Sequence, residues 1–302
     1  MEDRRLGVVL GLGAYVLWGF LTVYWKALEG LNPVELIAAR IVSSFAVVAG
    51  ALTATRRWRQ LGPMRTDRVL LGRLGLAALL LAANWISYVW AVVHDNVVET
   101  ALGYFIAPLG TVLIGVRVLG ERLRARQRVA IGLAAVAVVE LTIAYGRAPV
   151  FAIVIAVTWA LYALLKRQVP LAPLESLAGE TSMLLAPALA VLVVPLLAGG
   201  GLAAEASGAQ LALLALSGLA TAVPLLMFSG AAKRVPFTLL GPMQYAVPTI
   251  NFLLGVFVYH EQLDGAELAG FALVWIGLVI FTADSVHHAY RQPARPPAAT
   301  VA

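Results

Sequence analysis

Residues 108–123 read PLGTVLIGVRVLGERL, and residues 248–263 read PTINFLLGVFVYHEQL. Laid together at a shift of 140, they align Pro108 with Pro248, Gly115 with Gly255, Glu121 with Glu261 and Leu123 with Leu263. The same shift relates Glu35 to Glu175, inside Asn32-Pro-Val-Glu and Ala172-Pro-Leu-Glu, and a shift of 141 relates Trp18 to Trp159. Leu and Ala are abundant in this chain, so one shared residue carries little weight. Pro, Gly and Glu in a single register define an internal repeat.

What repeats is set by composition. The 302 residues are 61% hydrophobic and 13% charged, against about 45–50% and about 25% in soluble domains. The apolar residues come in runs such as Val129–Ala144 and Val235–Tyr259, and crossing the hydrocarbon takes roughly 20 apolar residues in a helix. Ten such segments are expected: Gly7–Trp25, Pro33–Ala54, Val69–Val93, Val97–Val118, Gln127–Tyr145, Ala148–Leu165, Leu174–Ala198, Ala209–Ala232, Val235–Tyr259 and Gly265–Asp284. Without water, every backbone N–H and C=O must be paired inside the segment, which leaves helices or closed barrels. Segments this long and continuously apolar are not barrel strands. The first segment is also too long for a signal-peptide core and lacks a small-residue cleavage site.

Several starts carry helix caps. Asn32-Pro33-Val34-Glu35 offers a cap residue, Pro at the first helical position and Glu at the third. Asn96, Ser207 and Asp264 begin similar quartets. Glu35, Glu99 and Glu175 are read as third-position caps, and Glu121 and Glu261 as starting the next helix or holding the short turns that follow helices four and nine.

Each repeat holds five helices, so the second enters the membrane from the opposite side. The expected fold is an all-α integral membrane protein of ten helices in two inverted five-helix repeats, 5–146 and 147–286, with a disordered cytoplasmic tail over 287–302. Nineteen of the 22 Lys and Arg residues fall on one side of this topology. Lys26 and Arg147 fall on the other, and Arg40 lies within a helix. The positive-inside rule makes the Arg-rich side, with both termini, cytoplasmic. The net charge of +6 thus orients the chain and does not point to nucleic acid. Inverted repeats supply two near-equivalent conformations, one open to each side, which is the architecture of secondary transport.

Five plus five helices, the Trp18-Gly19 pair, and the two ends Pro108…Gly120-Glu121-Arg122-Leu123 and Pro248…His260-Glu261-Gln262-Leu263 resemble EamA-type members of the drug/metabolite transporter superfamily. The start Ala14-Tyr-Val-Leu-Trp18-Gly-Phe20, with Glu35-Leu-Ile-Ala-Ala-Arg40 and Asn84-Trp85, looks like its RarD branch. The resemblance spans about residues 5–285. It implies an inner-membrane permease with a central cavity, usually an efflux carrier for metabolites or drugs.

Ionisable groups within membrane helices are costly and tend to be functional. Arg40 lies about seven residues inside helix two, roughly 10 Å from the outer rim. It is the candidate for an anionic group, or it forms an ion pair with Glu140. Glu180, its repeat mate at a shift of 140, and Glu140 are the candidate ion-coupling acids, Glu180 being read as isolated. A pairing of Glu180 with Lys166 or Arg167 is the alternative. Asn84 and Gln244 need partners at mid-depth, so they glue helices or line a pore. Trp18, Trp85, Tyr88, Tyr104, Trp159 and Tyr245 also lie deep and suggest a pocket for a flat ligand, or ordinary packing. Trp25, Trp90, Tyr145 and Tyr259 fit an interfacial belt. Pro108 and Pro248 should kink helices four and nine, as hinges or as static bends.

No cysteine is present, and there is no P-loop and no H-E-x-x-H, so nucleotide, thiol and zinc chemistry lack their residues. No cofactor and no metal is expected. The partners are a small-molecule substrate and membrane lipid, with a monomer the expected state. An enzyme is a poor reading. A channel-like facilitator and a lipid or polyprenyl-carrier flippase stay open as alternatives.

Overall fold

The computed structural model describes residues 2–93, 97–146, 148–260 and 265–291. Its helices are α1 (Glu2–Lys26), α2 (Pro33–Ala54), α3 (Arg68–Val93), α4 (Val97–Arg117), α5 (Ala125–Tyr145), α6 (Val150–Gln168), α7 (Pro173–Leu197), a single turn α8 (Leu202–Glu205), α9 (Gly208–Ala232), α10 (Phe237–Met243), α11 (Ala246–Phe257) and α12 (Gly265–Arg291). A 3₁₀ segment, Trp58–Arg65, joins α2 to α3. Among the described residues there is no strand, and nine stretches are long and apolar enough to cross a membrane, with α10 and α11 forming one of them. The remaining segment, α5, carries Arg126, Arg128 and Glu140 and packs along α12. With it, the ten expected segments are all present as helices.

The caps explain where some helices begin. Asn32 Oδ1 accepts from Val34 N at 2.9 Å and Glu35 N at 3.3 Å. Ser207 and Gln210 exchange the reciprocal bonds of a capping box. Glu35 and Glu175 correct the third-position reading, since both reach across to the other repeat. Glu35 accepts from Leu202 N at 2.9 Å. Glu175 Oε1 lies 2.8 Å from Arg57 Nε, without the angle of a hydrogen bond. Asn96, Glu261 and Asp264 lie outside the described residues, as does the Glu99 side chain. The last helix also runs past the expected end at Asp284 to Arg291, so residues 287–291, expected in a disordered tail, are helical.

Helix packing repeats the symmetry read from the sequence. The repeat mates are α1 and α6, α2 and α7, α3 and α9, α4 and α10–α11, α5 and α12. The packing of α1 on α9 is mirrored by α6 on α3, that of α2 on α9 by α7 on α3, and that of α1 on α11 by α6 on α4. The pairs α2–α7, α4–α10 and α5–α12 join mates directly. Near a two-fold axis a residue can touch its own counterpart, and two pairs do. Tyr245 Oη donates to the Phe105 carbonyl at 3.1 Å across a separation of 140. The Trp18 and Trp159 rings meet edge to face, with centroids 5.3 Å apart.

Lipid is as apolar as a leucine side chain, so close backbone approach at small residues holds such bundles. A Cβ at Gly218 would sit 2.3 Å from the Ser43 carbonyl oxygen, and one at Gly241 would sit 2.7 Å from that of Pro108.

The two prolines behave differently. The ninth segment breaks at Gln244–Tyr245, between α10 and α11. Pro248 cannot donate to the carbonyl four residues back, at Gln244, and its ring crowds that carbonyl. By contrast α4 continues as one helix through Pro108, so the chain is interrupted near Pro248 and not near its mate.

Candidate functional site

One cavity of about 280 Å³ lies between the halves, walled by α1, α2, α3, α4, α6, α9 and α10–α11. Trp25 and Pro33 line it at the Arg-poor end. Tyr15 marks its depth ten residues down α1, about 15 Å at 1.5 Å per residue. Eight of the nine candidate binding residues line this space: Trp18, Arg40, Asn84, Trp85, Tyr88, Tyr104, Trp159 and Gln244. Tyr245 does not, because its ring is buried against Phe105.

Arg40 is held by stacking. Its guanidinium lies 4.4 Å from the Trp25 ring centroid and 4.7 Å from that of Trp85. Its Nε donates to Thr221 Oγ1 at 3.2 Å. Among the described residues it makes no ion pair. The expected pairing with Glu140 is not formed, because Glu140 sits half-buried on α5, which packs on α12 and α4, whereas α2 packs on α7 and α9. Similar depth along two helices does not put two side chains on facing surfaces.

The wall amides are tied to neighbouring helices. Asn84 Nδ2 donates to the Ile155 carbonyl at 2.9 Å and to Thr158 Oγ1 at 3.1 Å. Gln244 Nε2 donates to Thr111 Oγ1 at 2.7 Å. Asn251 Oδ1 accepts from Thr22 at 2.8 Å. The two readings of a mid-membrane amide, glue or pore lining, therefore hold together here. Asn251, Thr22, Thr221 and Tyr15 also line the cavity and were missed. That Thr22 is the one serine or threonine on α1 was the only signal there. Trp25 departs from the interfacial-belt reading: it lines the cavity and packs against the Arg40 guanidinium. Tyr259 lies under Lys26 Nζ at 3.8 Å, and Trp90 is exposed. The Tyr145 side chain lies outside the described residues.

The opposite, Arg-rich end is filled. Tyr162, Phe228 and Trp159 stack below the cavity, Tyr162 lying parallel to Phe228 with centroids 6.1 Å apart. Beneath them Glu180 accepts from Lys166 Nζ at 2.7 Å, Ser176 Oγ at 2.8 Å and Tyr162 Oη at 3.0 Å. Glu180 and Lys166 are 0% and 1% exposed. Glu180 is thus not the isolated acid expected. Its seven-residue offset into α7 faces the end of α6, where Lys166 supplies the counter-charge.

Further ion pairs tie the repeats together at this same end. Asp3 pairs with Arg234, Arg57 with Glu175, Glu121 with Arg167 and Arg124 with Asp284. Glu121 also accepts from Phe237 N and Thr238 N at 2.8 and 2.7 Å, capping α10, so it holds helix ends together and lies away from the cavity. Lys233 Nζ donates to the Val169 and Leu171 carbonyls. Its burial lowers the ammonium pKa below the usual lysine value, and Lys166 and Arg234 push the same way.

The EamA-like transporter family matches residues 5–143 and 146–283. A protein named RarD from Streptomyces exfoliatus is 45% identical over 99% of this chain and 95% of its own length. An uncharacterized transporter, YojE, from Bacillus subtilis is 37% identical over 94% of this chain and 96% of its own length. A chloramphenicol-sensitive protein RarD from Pseudomonas aeruginosa is 29% identical over 98% of this chain and 99% of its own length. A crystal structure at 24% identity, covering 93% of this chain and 98% of the other, superposes with a TM-score of 0.72 and shares the fold.

Proposed function

The chain belongs to the EamA-like transporter family, and from that premise we propose that it is a secondary transporter exporting a small metabolite by alternating access across the bacterial inner membrane, with both termini cytoplasmic. One observation carries this reading. The cavity reaches the Arg-poor end, whereas the Arg-rich end is filled by aromatic packing, a buried ion pair and cross-repeat ion pairs. That is one of the two states an inverted repeat provides, and exchanging the conformations of the halves generates the other.

The alternatives fit the geometry less well. A channel would need a continuous polar path, and the Lys166–Glu180 pair is sealed from solvent. A lipid carrier would need room for acyl chains, and about 280 Å³ is at the small end even for metabolite pockets.

Single cysteines in this cysteine-free chain test the reading. A cysteine at Thr22, in the cavity, should be alkylated from outside, and one at Arg59 from the cytoplasm only. Added substrate should protect the Thr22 position and raise labelling at Ser229, at the sealed end. Labelling of position 59 from outside would overturn the orientation. Simultaneous access to positions 22 and 229 would indicate a channel.

A further inference from the structure

We infer that the cavity takes a small monocarboxylate with a flat apolar body and discriminates against neutral, cationic and doubly anionic ligands. This deepens the transport reading and rests on it only for the identity of the site.

Among the described residues, Arg40 is the only ionisable one lining the cavity other than the tyrosines Tyr15, Tyr88 and Tyr104. The site therefore presents one positive charge. A bare charge in a low-dielectric setting is expensive, and it becomes tolerable when paired and hydrogen-bonded. A carboxylate brings one negative charge and leaves the complex neutral. A phosphate monoester brings about −1.5 to −2 at pH 7 and would leave the excess buried. A cation would be repelled, and with no Asp or Glu lining the cavity among the described residues, a ligand's ammonium would find no carboxylate.

Geometry narrows the approach. The Trp25 and Trp85 rings lie 4.4 and 4.7 Å from the guanidinium carbon, and Nε is engaged by Thr221. Among the described residues no hydrogen bond engages the two Nη atoms at the terminal edge. A planar carboxylate can meet that edge with two parallel N–H···O bonds. Arg40 is thereby pre-oriented, and little side-chain freedom is lost on binding.

Four aromatic rings line the space, Trp18 against Trp159 and Tyr88 against Tyr104, and leave mostly apolar surface for the rest of the ligand. A volume of about 280 Å³ admits a single ring or a short chain and excludes large amphiphiles.

Binding to the purified full-length protein in detergent tests this, read by quenching of tryptophan fluorescence. The probes share a phenyl body: phenylacetate, phenylacetamide, phenethylamine and phenyl phosphate. Phenylacetate should bind at least tenfold more tightly than each of the others. Arg40→Gln should remove that preference while phenylacetamide binds as weakly as before, which also reports an intact cavity. Arg40→Lys, which keeps the charge and loses the flat stacked fork, should retain only part of the preference. Equal binding of acid and amide, stronger binding of phenyl phosphate, a preference that survives in Arg40→Gln, or no binding of phenylacetate would each overturn the inference. The transport reading fails separately: it falls if phenylacetate binds as expected and yet no flux appears across liposomes.

Discussion

Replacing Lys166 by Met removes the ammonium from the sealed end while keeping most of the side chain's volume. In the parent protein Glu180 and Lys166 are 2.7 Å apart and essentially without exposure. After the substitution Glu180 keeps its bonds from Ser176 and Tyr162. Those bonds exist already, so they offset nothing. Breaking a buried pair by removing one partner costs about 3–5 kcal/mol, because the remaining charge is uncompensated. Taking the lower figure, any state that lets water reach Glu180 gains about 100-fold in population relative to the sealed one, at about 1.4 kcal/mol per tenfold. A conformation open to the Arg-rich side is such a state. A cysteine at Ser229, a fully buried site next to Phe228, reads its population as an alkylation rate from that side. That rate should rise about 100-fold in Lys166→Met. It should fall back most of the way in Lys166→Met/Glu180→Gln, where both charges are gone. A single variant within twofold of the parent, or a double variant as reactive as the single, would refute the view that the pair holds this end shut.

Gly218→Val should prevent assembly of α2 on α9, because the backbone of Ser43 stands 2.3 Å from where a Cβ would lie; normal yield of monodisperse protein would contradict this. His260→Gly should stabilise the chain by roughly 1 kcal/mol, since His260 takes φ 54° where its repeat mate Gly120 takes φ 69° and the left-handed region costs a side-chain-bearing residue about that much. The check is the midpoint of denaturation in detergent, expected to rise.

The ten helices, their order and their inverted pairing were legible because each rests on a one-dimensional signal: length of apolar run, Arg bias between runs, and a register of 140. Cap residues were legible for the same reason when they acted locally, as at Asn32 and Ser207. Where a group reaches out of its own helix the string carries no angle. Glu35 and Glu175 have the sequence of third-position caps and yet bind the other repeat. Pro108 and Pro248 occupy equivalent positions and differ because α4 is continuous through its proline, whereas Pro242 and Pro248 flank the break at Gln244–Tyr245 in the ninth segment.

The cavity shows the same division. Depth was readable, which is why eight of nine candidate residues line one space. Rotation about the helix axis was not, so Tyr245 turned out to face Phe105, Trp25 faced inward, and Glu140 faced away from Arg40. The repeat itself holds the last point. Arg40 and Glu180 are mates in sequence and equivalent in the two halves, so exchange of conformations would carry each into the other's environment. At its own end Glu180 already has Lys166, Ser176 and Tyr162 as partners. Arg40 has two rings and one hydroxyl, and no carboxylate among the described residues. The helix packing is paired between the halves while the charge compensation is not. The buried acid with its own counter-ion lies at the sealed end, and the arginine without one lies on the cavity between the halves, where the proposed anion would complete it.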